Sequence, residues 1–224
     1  MRALLGLVLL TAIAHCQVER DWLGMTPTQV ERMGRAKFVD EFSTKHGSST
    51  MAMCDAEGSY GEAVRALNQA WVKKHAPANR ELMERIRPLV ERFKLLSCEV
   101  GSAISGGGTM WNPVYASILG DVEELTAELY GRRPLSPGEG QAAVWKLLAT
   151  AEHYVKQNAE SLDELYLPER QPSKDAIKAL QGMRSLTFEI AQESGKLSVA
   201  ERRAVFGSLA GDFRANLDMS GMGI

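Results

Sequence analysis

Apolar residues recur at intervals of three and four along almost the whole sequence, which is the spacing of one face of an α-helix. No segment alternates apolar and polar residues between hairpin turns, as a half-buried strand does. The pattern therefore predicts an all-α fold. Between residues 26 and 219 we expect a single helical bundle of six or seven amphipathic helices.

Capping signals predict where several helices begin. Thr26-Pro27 places a capping threonine ahead of a first-turn proline and predicts a helix that continues to about His46. Asn112-Pro113 gives the same signal for a helix that ends near Gly131. Capping boxes of the form Ser-x-x-Glu predict further helix starts at Ser59, Ser136, Ser161 and Ser198.

Prolines and glycines predict the connections between helices. Asn79 is expected to cap a long helix in which Pro88 causes either a kink or a restart. The proline-rich segment 131–137 is a possible boundary between an N-terminal and a C-terminal bundle, but it is too short to act as a free linker. Residues 220–224 form a glycine-rich end that we expect to fray.

The N-terminus has the pattern of an export signal. Met1-Arg2 is followed by an uncharged apolar run from Ala3 to Ala14, and this run is shorter than the roughly 20 residues of a membrane span. We therefore expect residues 1–16 to be a cleaved signal peptide and residues 17–25 to be a tether. The protein would then act in the periplasm, as an outer-membrane lipoprotein, or in the extracellular space.

The cleavage site has several interpretations, which give Cys16 different fates. Cleavage after Ala14 leaves Cys16 near the new N-terminus, whereas cleavage after Cys16 removes it. The sequence Ile13-Ala14-His15-Cys16 also resembles a bacterial lipobox, in which Cys16 is lipidated and anchors the chain to a membrane. A leader that is never cleaved and acts as a weak anchor is the remaining alternative.

Composition narrows the classes of function. The net charge is −2 at pH 7, which provides no basic surface for nucleic acid, and we expect no nucleic-acid partner. Apolar residues make up 45% of the chain and charged residues 24%, so a chain of this length can bury a substantial core. We expect an ordered protein that contacts a membrane only if Cys16 is lipidated.

The three cysteines predict one disulfide. Two interpretations of the leader remove Cys16 from consideration, and Cys54 and Cys98 then remain as a pair in an oxidising compartment. Closing a loop of about 45 residues would stabilise the fold by about 4 kcal/mol in the chain-entropy model. The alternative is a pair of buried thiols on apolar helix faces.

No motif for catalysis or metal binding stands out in the sequence. His46, His75 and His153 are far apart, and neither CxxC nor HExxH occurs. Acidic pairs such as Glu123-Glu124 and Asp163-Glu164 are expected to be surface charges on helices, and no serine lies in a Gly-x-Ser-x-Gly motif. We therefore expect no cofactor and no metal, and a hydrolase-like helical enzyme is a weaker hypothesis than a binding protein.

The uncharged segment 100–120 is the most distinctive stretch of the chain. One interpretation is a flexible loop over a hydrophobic ligand cleft, with aromatic rings as walls and backbone N–H groups as donors. The alternative is a buried structural crossover between two helices. The candidate cleft residues are Gly106, Gly107, Gly108, Trp111 and Tyr115.

Three short segments carry a family resemblance. Met25-Thr26-Pro27-Thr28-Gln29 is similar to the LTxxQ motif of small helical periplasmic stress chaperones. Leu135-Ser136-x-x-Glu139 and Leu197-Ser198-x-x-Glu201 are looser versions of the same motif. The resemblance implies a cradle-shaped helical protein that binds unfolded clients through an apolar concave face.

These observations together predict an exported and non-catalytic helical binding protein, which is lipid-anchored if Cys16 is modified. Its partner would be a protein or a small apolar ligand. A periplasmic chaperone is the first alternative, and the helical enzyme is the second.

Overall fold

The computed structural model describes residues 22–164 and 171–222. Every regular element in these ranges is helical and no strand occurs in them, so the predicted all-α class is confirmed. The expected signal peptide, the lipidation candidate Cys16, most of the tether and the last two residues lie outside the described residues.

Nine α-helices occupy the described residues, where the sequence predicts six or seven. In chain order they are α1 (Pro27–Met33), α2 (Arg35–Lys45), α3 (Thr50–His75), α4 (Arg80–Ile104), α5 (Trp111–Leu129), α6 (Gln141–Gln157), α7 (Ala159–Glu164), α8 (Pro172–Glu193) and α9 (Val199–Met219). The number is higher partly because Gly34, with a φ of 84°, divides the helix predicted from Thr26 to His46 into α1 and α2.

Several predicted helix boundaries are confirmed. Thr26 and Ser198 each form a complete capping box at the start of α1 and α9. Asn79 is the N-cap of α4, and Pro88 lies inside this helix rather than restarting it. Gly131 follows the end of α5 with a φ of 69°, as a glycine after a helix C-terminus commonly does.

The other capping boxes do not start helices. Ser59 lies inside α3, which begins after Ser49, and Ser161 lies inside α7. Ser136 precedes α6 by several residues, and its hydroxyl donates to Glu128 Oε1 at 2.6 Å instead of capping. A Ser-x-x-Glu pattern is compatible with a helix start but also with a helix interior, so the packing of the flanking residues decides between them.

Apolar side chains form two separate clusters. The larger cluster lies among α4 to α9 and includes the fully buried side chains of Phe93, Val122, Leu148, Met183 and Phe213. The smaller cluster packs Val30, Phe38 and Phe42 of α1 and α2 against α3. Segment 131–137 connects α5 to α6, and both of these helices contribute side chains to the larger cluster.

A close crossing of α3 and α5 brings the two clusters together. A Cβ atom on Gly61 of α3 would lie 2.6 Å from Leu119 Cγ and 2.9 Å from the Gly120 nitrogen of α5. Only a residue without a side chain fits at that point. The short separation places the polar side chains of α3 within hydrogen-bond reach of α5.

The Gly61→Ala variant is expected to lose about 1–3 kcal/mol of unfolding free energy, because the added methyl group must push α3 and α5 apart. Gly58→Ala is the matched control on the same helix, since open space surrounds that position. It should be neutral or gain up to about 1 kcal/mol from helix propensity. Urea denaturation followed by circular dichroism measures both, and equal effects would contradict the close crossing.

Candidate functional site

The structure does not join Cys54 and Cys98 in the predicted disulfide. Cys54 is half-buried on α3 and Cys98 is buried on α4, and each of these helices packs on α5. Asn216 Nδ2 donates to the Cys98 sulfur at 3.7 Å. Burial raises the pKa of Cys98 to about 12, so this thiol is a poor nucleophile at neutral pH. The disulfide prediction is therefore unsupported.

The glycine-rich segment between α4 and α5 forms a turn at the surface. Gly106, Gly107 and Gly108 have φ values of 83°, 76° and 118°, which other residues rarely adopt. Gly106 and Gly108 are exposed, and none of the three glycines lines either of the two cavities between α5 and α9. This geometry favours a structural connection, although an exposed one rather than the buried crossover.

The two aromatic residues of the same segment belong to the packing of the larger cluster. Trp111 is 4% exposed, its ring lies against Gly101, and its Nε1 donates to Ser105 Oγ at 2.9 Å. Tyr115 is half-buried at the edge of this cluster. Neither ring forms a wall of the cleft.

A cleft with two lobes lies where α5 and α9 meet. The first lobe, the acidic lobe, has a volume of about 240 Å³ and is lined by α5, segment 136–138 and α9. The second lobe, the lysine lobe, has a volume of about 260 Å³ and extends to α2 and α4. Both lobes are lined by Asp121 of α5 and Asp212 of α9, so these two residues mark the junction.

The acidic lobe takes its name from the four carboxylates that line it: Asp121, Glu124, Glu128 and Asp212. Tyr60 donates its hydroxyl to Glu124 at 2.6 Å, and the backbone N–H of Ser136 donates to Glu128 at 2.9 Å. Tyr60 reaches Glu124 from α3, whereas Ser136 is part of the lobe wall, and the two bonds fix the positions of these acids.

Two glycines form the tight part of the acidic-lobe wall. A Cβ atom on Gly207 of α9 would lie 2.5 Å from the Gly138 Cα atom. Segment 136–138 therefore lies directly on the backbone of α9. A side chain at position 207 would move the segment and change the shape of the lobe.

Lys94 of α4 is the buried cation of the lysine lobe, with only 2% of its side chain exposed. Its Nζ donates to Ser208 Oγ at 3.0 Å and forms an ion pair with Asp212. Ser208, Asp212 and Asn216 are spaced by four residues and so share one face of α9. Asn216 extends this polar row by donating to Ser97 Oγ at 2.7 Å.

Opposing effects act on the amine of Lys94. Burial is the largest effect and lowers the pKa of Lys94 to about 8, while the charge of Asp121 acts in the other direction. Direct contact with Asp212 also favours the ammonium form. The result is a desolvated amine in direct contact with a carboxylate.

Arg35 at the start of α2 forms another wall of the lysine lobe. Its Nε donates to Glu57 at 2.7 Å, its Nη2 donates to the Ser117 carbonyl at 3.2 Å, and it pairs with Asp121. Burial alone would lower the pKa of Arg35, but the carboxylates of Asp121 and Glu57 outweigh burial and raise it above its ordinary value. Arg35 is thus a permanent cation held by three acceptors.

The side chain of Glu123 is only 1% exposed. The expectation that the Glu123-Glu124 pair consists of surface charges is therefore wrong for Glu123. Arg65 Nε donates to its carboxylate at 3.1 Å and Asn68 Nδ2 donates at 2.8 Å, and Arg87 also pairs with it. Arg65 and Asn68 belong to α3 and Arg87 belongs to α4. One carboxylate of α5 therefore ties three helices together.

A second set of ion pairs holds α1 against the C-terminal end of α5. Arg132 Nη1 and Arg133 Nε donate to Glu31 at 2.6 and 2.8 Å. Arg132 also donates to Asn68 Oδ1 at 2.8 Å, and Arg133 donates to Glu124 at 3.1 Å. Burial would raise the pKa of Glu31, but the two arginines outweigh burial and hold it below its ordinary value.

The sequence does contain one signal for this site, which is a charged residue within the apolar face of a predicted helix. Lys94 lies four residues from Val90 and four from Cys98, so it interrupts the row of buried residues on α4. A lysine in such a position can also extend along an apolar surface to reach solvent. The contacts of Lys94 with Ser208 and Asp212 of α9 show that its side chain is directed into the protein and not toward solvent.

No protein-family model matches this sequence, and no curated protein or solved structure is detectably similar to it. In the part of the chain that the structure describes, no helix is long and apolar enough to cross a membrane. In the same residues, no group of three or more His, Cys, Asp or Glu side chains could hold a metal ion. The cleft and its charges are the features from which a function can be inferred.

Glu123→Ala is expected to lower the free energy of unfolding by about 2–3 kcal/mol, because it leaves two arginines without their shared carboxylate. The loss is smaller than for a fully buried pair, since Arg65 and Arg87 are 33% and 29% exposed. Urea denaturation measures this loss.

Glu91→Ala is the matched control for that variant, because Glu91 pairs with the same arginine, Arg87, on the surface of α4. It should cost no more than about 0.5 kcal/mol. Similar losses for the two variants would mean that the buried network does not hold the helices together.

Proposed function

We propose that the chain is an exported, non-catalytic helical binding protein whose cleft between α5 and α9 holds a small polar ligand. One observation carries this proposal: a buried charged side chain lies next to a cavity. Lys94 is only 2% exposed, and it lines a cavity of about 260 Å³. Burial of a charged group is costly unless it is paired, and Asp212 supplies the pairing. A purely structural ion pair requires no cavity next to it.

The lining of the lysine lobe indicates the character of the ligand. Ser117 and Asn216 supply polar groups beside the charged residues, while Val114, Ile118 and Met219 supply apolar contact. Small-molecule sites commonly combine apolar walls with a few polar groups that fix orientation. The expected ligand is therefore small and polar with a short apolar part, which differs from the apolar ligand that the glycine-rich segment suggests.

The exposed apolar residues give less support to a chaperone that binds unfolded clients. A client-binding surface needs a contiguous apolar face. The large apolar side chains that are exposed in the described residues are scattered over α3, α4, α8, α9 and two connections: Met51, Leu95, Met110, Leu135, Phe188, Val199 and Met219. Of these, Met219 lines the cleft.

Ligand binding in the cleft should depend on Gly207 and not on Gly211. A library of amines, amino acids, keto acids and small aldehydes is screened by thermal shift, and the dissociation constants of compounds that raise Tm are measured by calorimetry. Gly207→Ala forces segment 136–138 and α9 apart and so shifts Asp212 of α9, which lines both lobes. The variant should weaken binding at least about tenfold, which is about 1.4 kcal/mol. Gly211→Ala, on the same helix with open space around it, should bind as the parent does.

Two results would contradict the cleft as the binding site. In one, no compound of the library raises Tm. In the other, the compounds that bind do so equally well to Gly207→Ala and to Gly211→Ala. Circular dichroism of both variants checks that the fold is retained.

Export is proposed from the sequence pattern of residues 1–16, which lie outside the described residues. Intact mass spectrometry of protein purified from its native host is expected to show a chain that begins at His15, at Gln17 or at a lipidated Cys16. A chain that still begins at Met1 would contradict cleavage of the leader. The same spectrum before and after reduction should show no two-hydrogen change from Cys54 and Cys98, since the structure does not join them.

A further inference from the structure

The amine of Lys94 lies at the junction of the two lobes. Lys94 itself lines the lysine lobe, and both of its partners, Ser208 and Asp212, line the acidic lobe. A ligand in the lysine lobe is therefore next to a primary amine that is shielded from bulk water, and a ligand in the acidic lobe is next to both partners of this amine. A carboxylate is in direct contact with the same amine.

We infer that Lys94 is the attachment point for an aldehyde or ketone ligand, which its amine binds reversibly as an imine. Buried lysine amines are suited to this reaction because desolvation makes the free amine more accessible. This inference rests on the ligand-binding function proposed above and names the chemical class of the ligand. It requires binding through a covalent bond but no turnover.

Asp212 can accept and return every proton that imine formation at Lys94 requires. The Lys94 ammonium gives one proton to the Asp212 carboxylate, and the nitrogen lone pair then attacks the carbonyl carbon. Proton transfer from nitrogen to oxygen gives a carbinolamine. Asp212 returns its proton to the hydroxyl group, which leaves as water while the carbon–nitrogen double bond forms. The product is a protonated imine that remains paired with the Asp212 carboxylate, and hydrolysis reverses the reaction.

The charged groups around Lys94 determine how much free amine exists at neutral pH. Asp212 faces it from α9, Asp121 and Glu124 from α5, and Arg35 from α2, while the Cys98 thiol lies on its own helix. Burial lowers the pKa of Lys94 to about 8, which raises the fraction of free amine at neutral pH above that of an exposed lysine. The contact with Asp212 acts in the opposite direction and favours the ammonium form.

Reductive trapping on the native protein tests the inference. The full chain is incubated with glycolaldehyde and sodium cyanoborohydride at neutral pH, and peptide mass spectrometry locates the adduct. Lys94 should be modified at least about tenfold faster than Lys37 and Lys156, which are 67% and 63% exposed and serve as internal controls. Modification of Lys94 no faster than these two, or only after unfolding in urea, would overturn the inference.

A variant and the ligand screen complete the test. Lys94→Arg keeps the positive charge but cannot form an imine, so it should lose the fast adduct while Lys37 and Lys156 react as before. If this variant does not fold, the site-resolved rates on the native chain decide by themselves. Cleft ligands that bind without trapping at Lys94 would overturn the imine and leave the binding function standing. Absence of any ligand sensitive to Gly207→Ala would instead overturn the binding function.

Discussion

The rest of the structure depends on one constraint, which is that each acidic side chain on the inner side of α5 must find a cation or a donor. A carboxylate removed from water without a partner costs several kcal/mol. Asp121 finds its partner on α2, Glu123 on α3 and α4, and Glu124 on α3. Because these acids lie within about one turn of one helix and point toward different neighbours, satisfying all of them leaves little freedom in how the neighbouring helices are placed. The apolar clusters supply the driving force for folding, while the charges select the arrangement.

The cleft follows from the same constraint. Arg35 of α2 pairs with Asp121 and Lys94 of α4 pairs with Asp212, and both aspartates line the junction of the lobes. Apolar side chains would have closed this space, as they do at the other contacts of α9 in the larger cluster. At Gly207 there is no such open space, because the backbone of segment 136–138 lies directly on the backbone of α9. This contact bounds the acidic lobe. The site is thus a place where paired charges line open space between packed helices.

Much of the fold was predictable because helix formation is encoded locally. The three-to-four spacing of apolar residues identified the class, and the caps at Thr26 and Ser198 were correct because their partners lie within one turn. The helix starts predicted at Ser59 and Ser136 were wrong for different reasons. A longer apolar pattern begins α3 before Ser59, and the hydroxyl of Ser136 donates to Glu128 instead of capping a helix. The candidate cleft was placed in the glycine-rich segment because flexibility and lack of charge are visible in a sequence, whereas a cavity is not.

The sequence by itself determined that the described chain is helical, where several of its helices begin, and that no strand pairing competes with them, because these properties depend on neighbours three or four residues away. Only the tertiary structure decided that Glu123 is a buried tie between helices, that Lys94 faces a cavity, and that Cys98 accepts a hydrogen bond from Asn216 and is not joined to Cys54 in a disulfide. Each of these depends on which helix faces meet. That choice is made by partners tens of residues apart, such as Arg87 for Glu123 and Asp212 for Lys94. A charge in a helix carries no local mark of whether its partner will be water or another side chain.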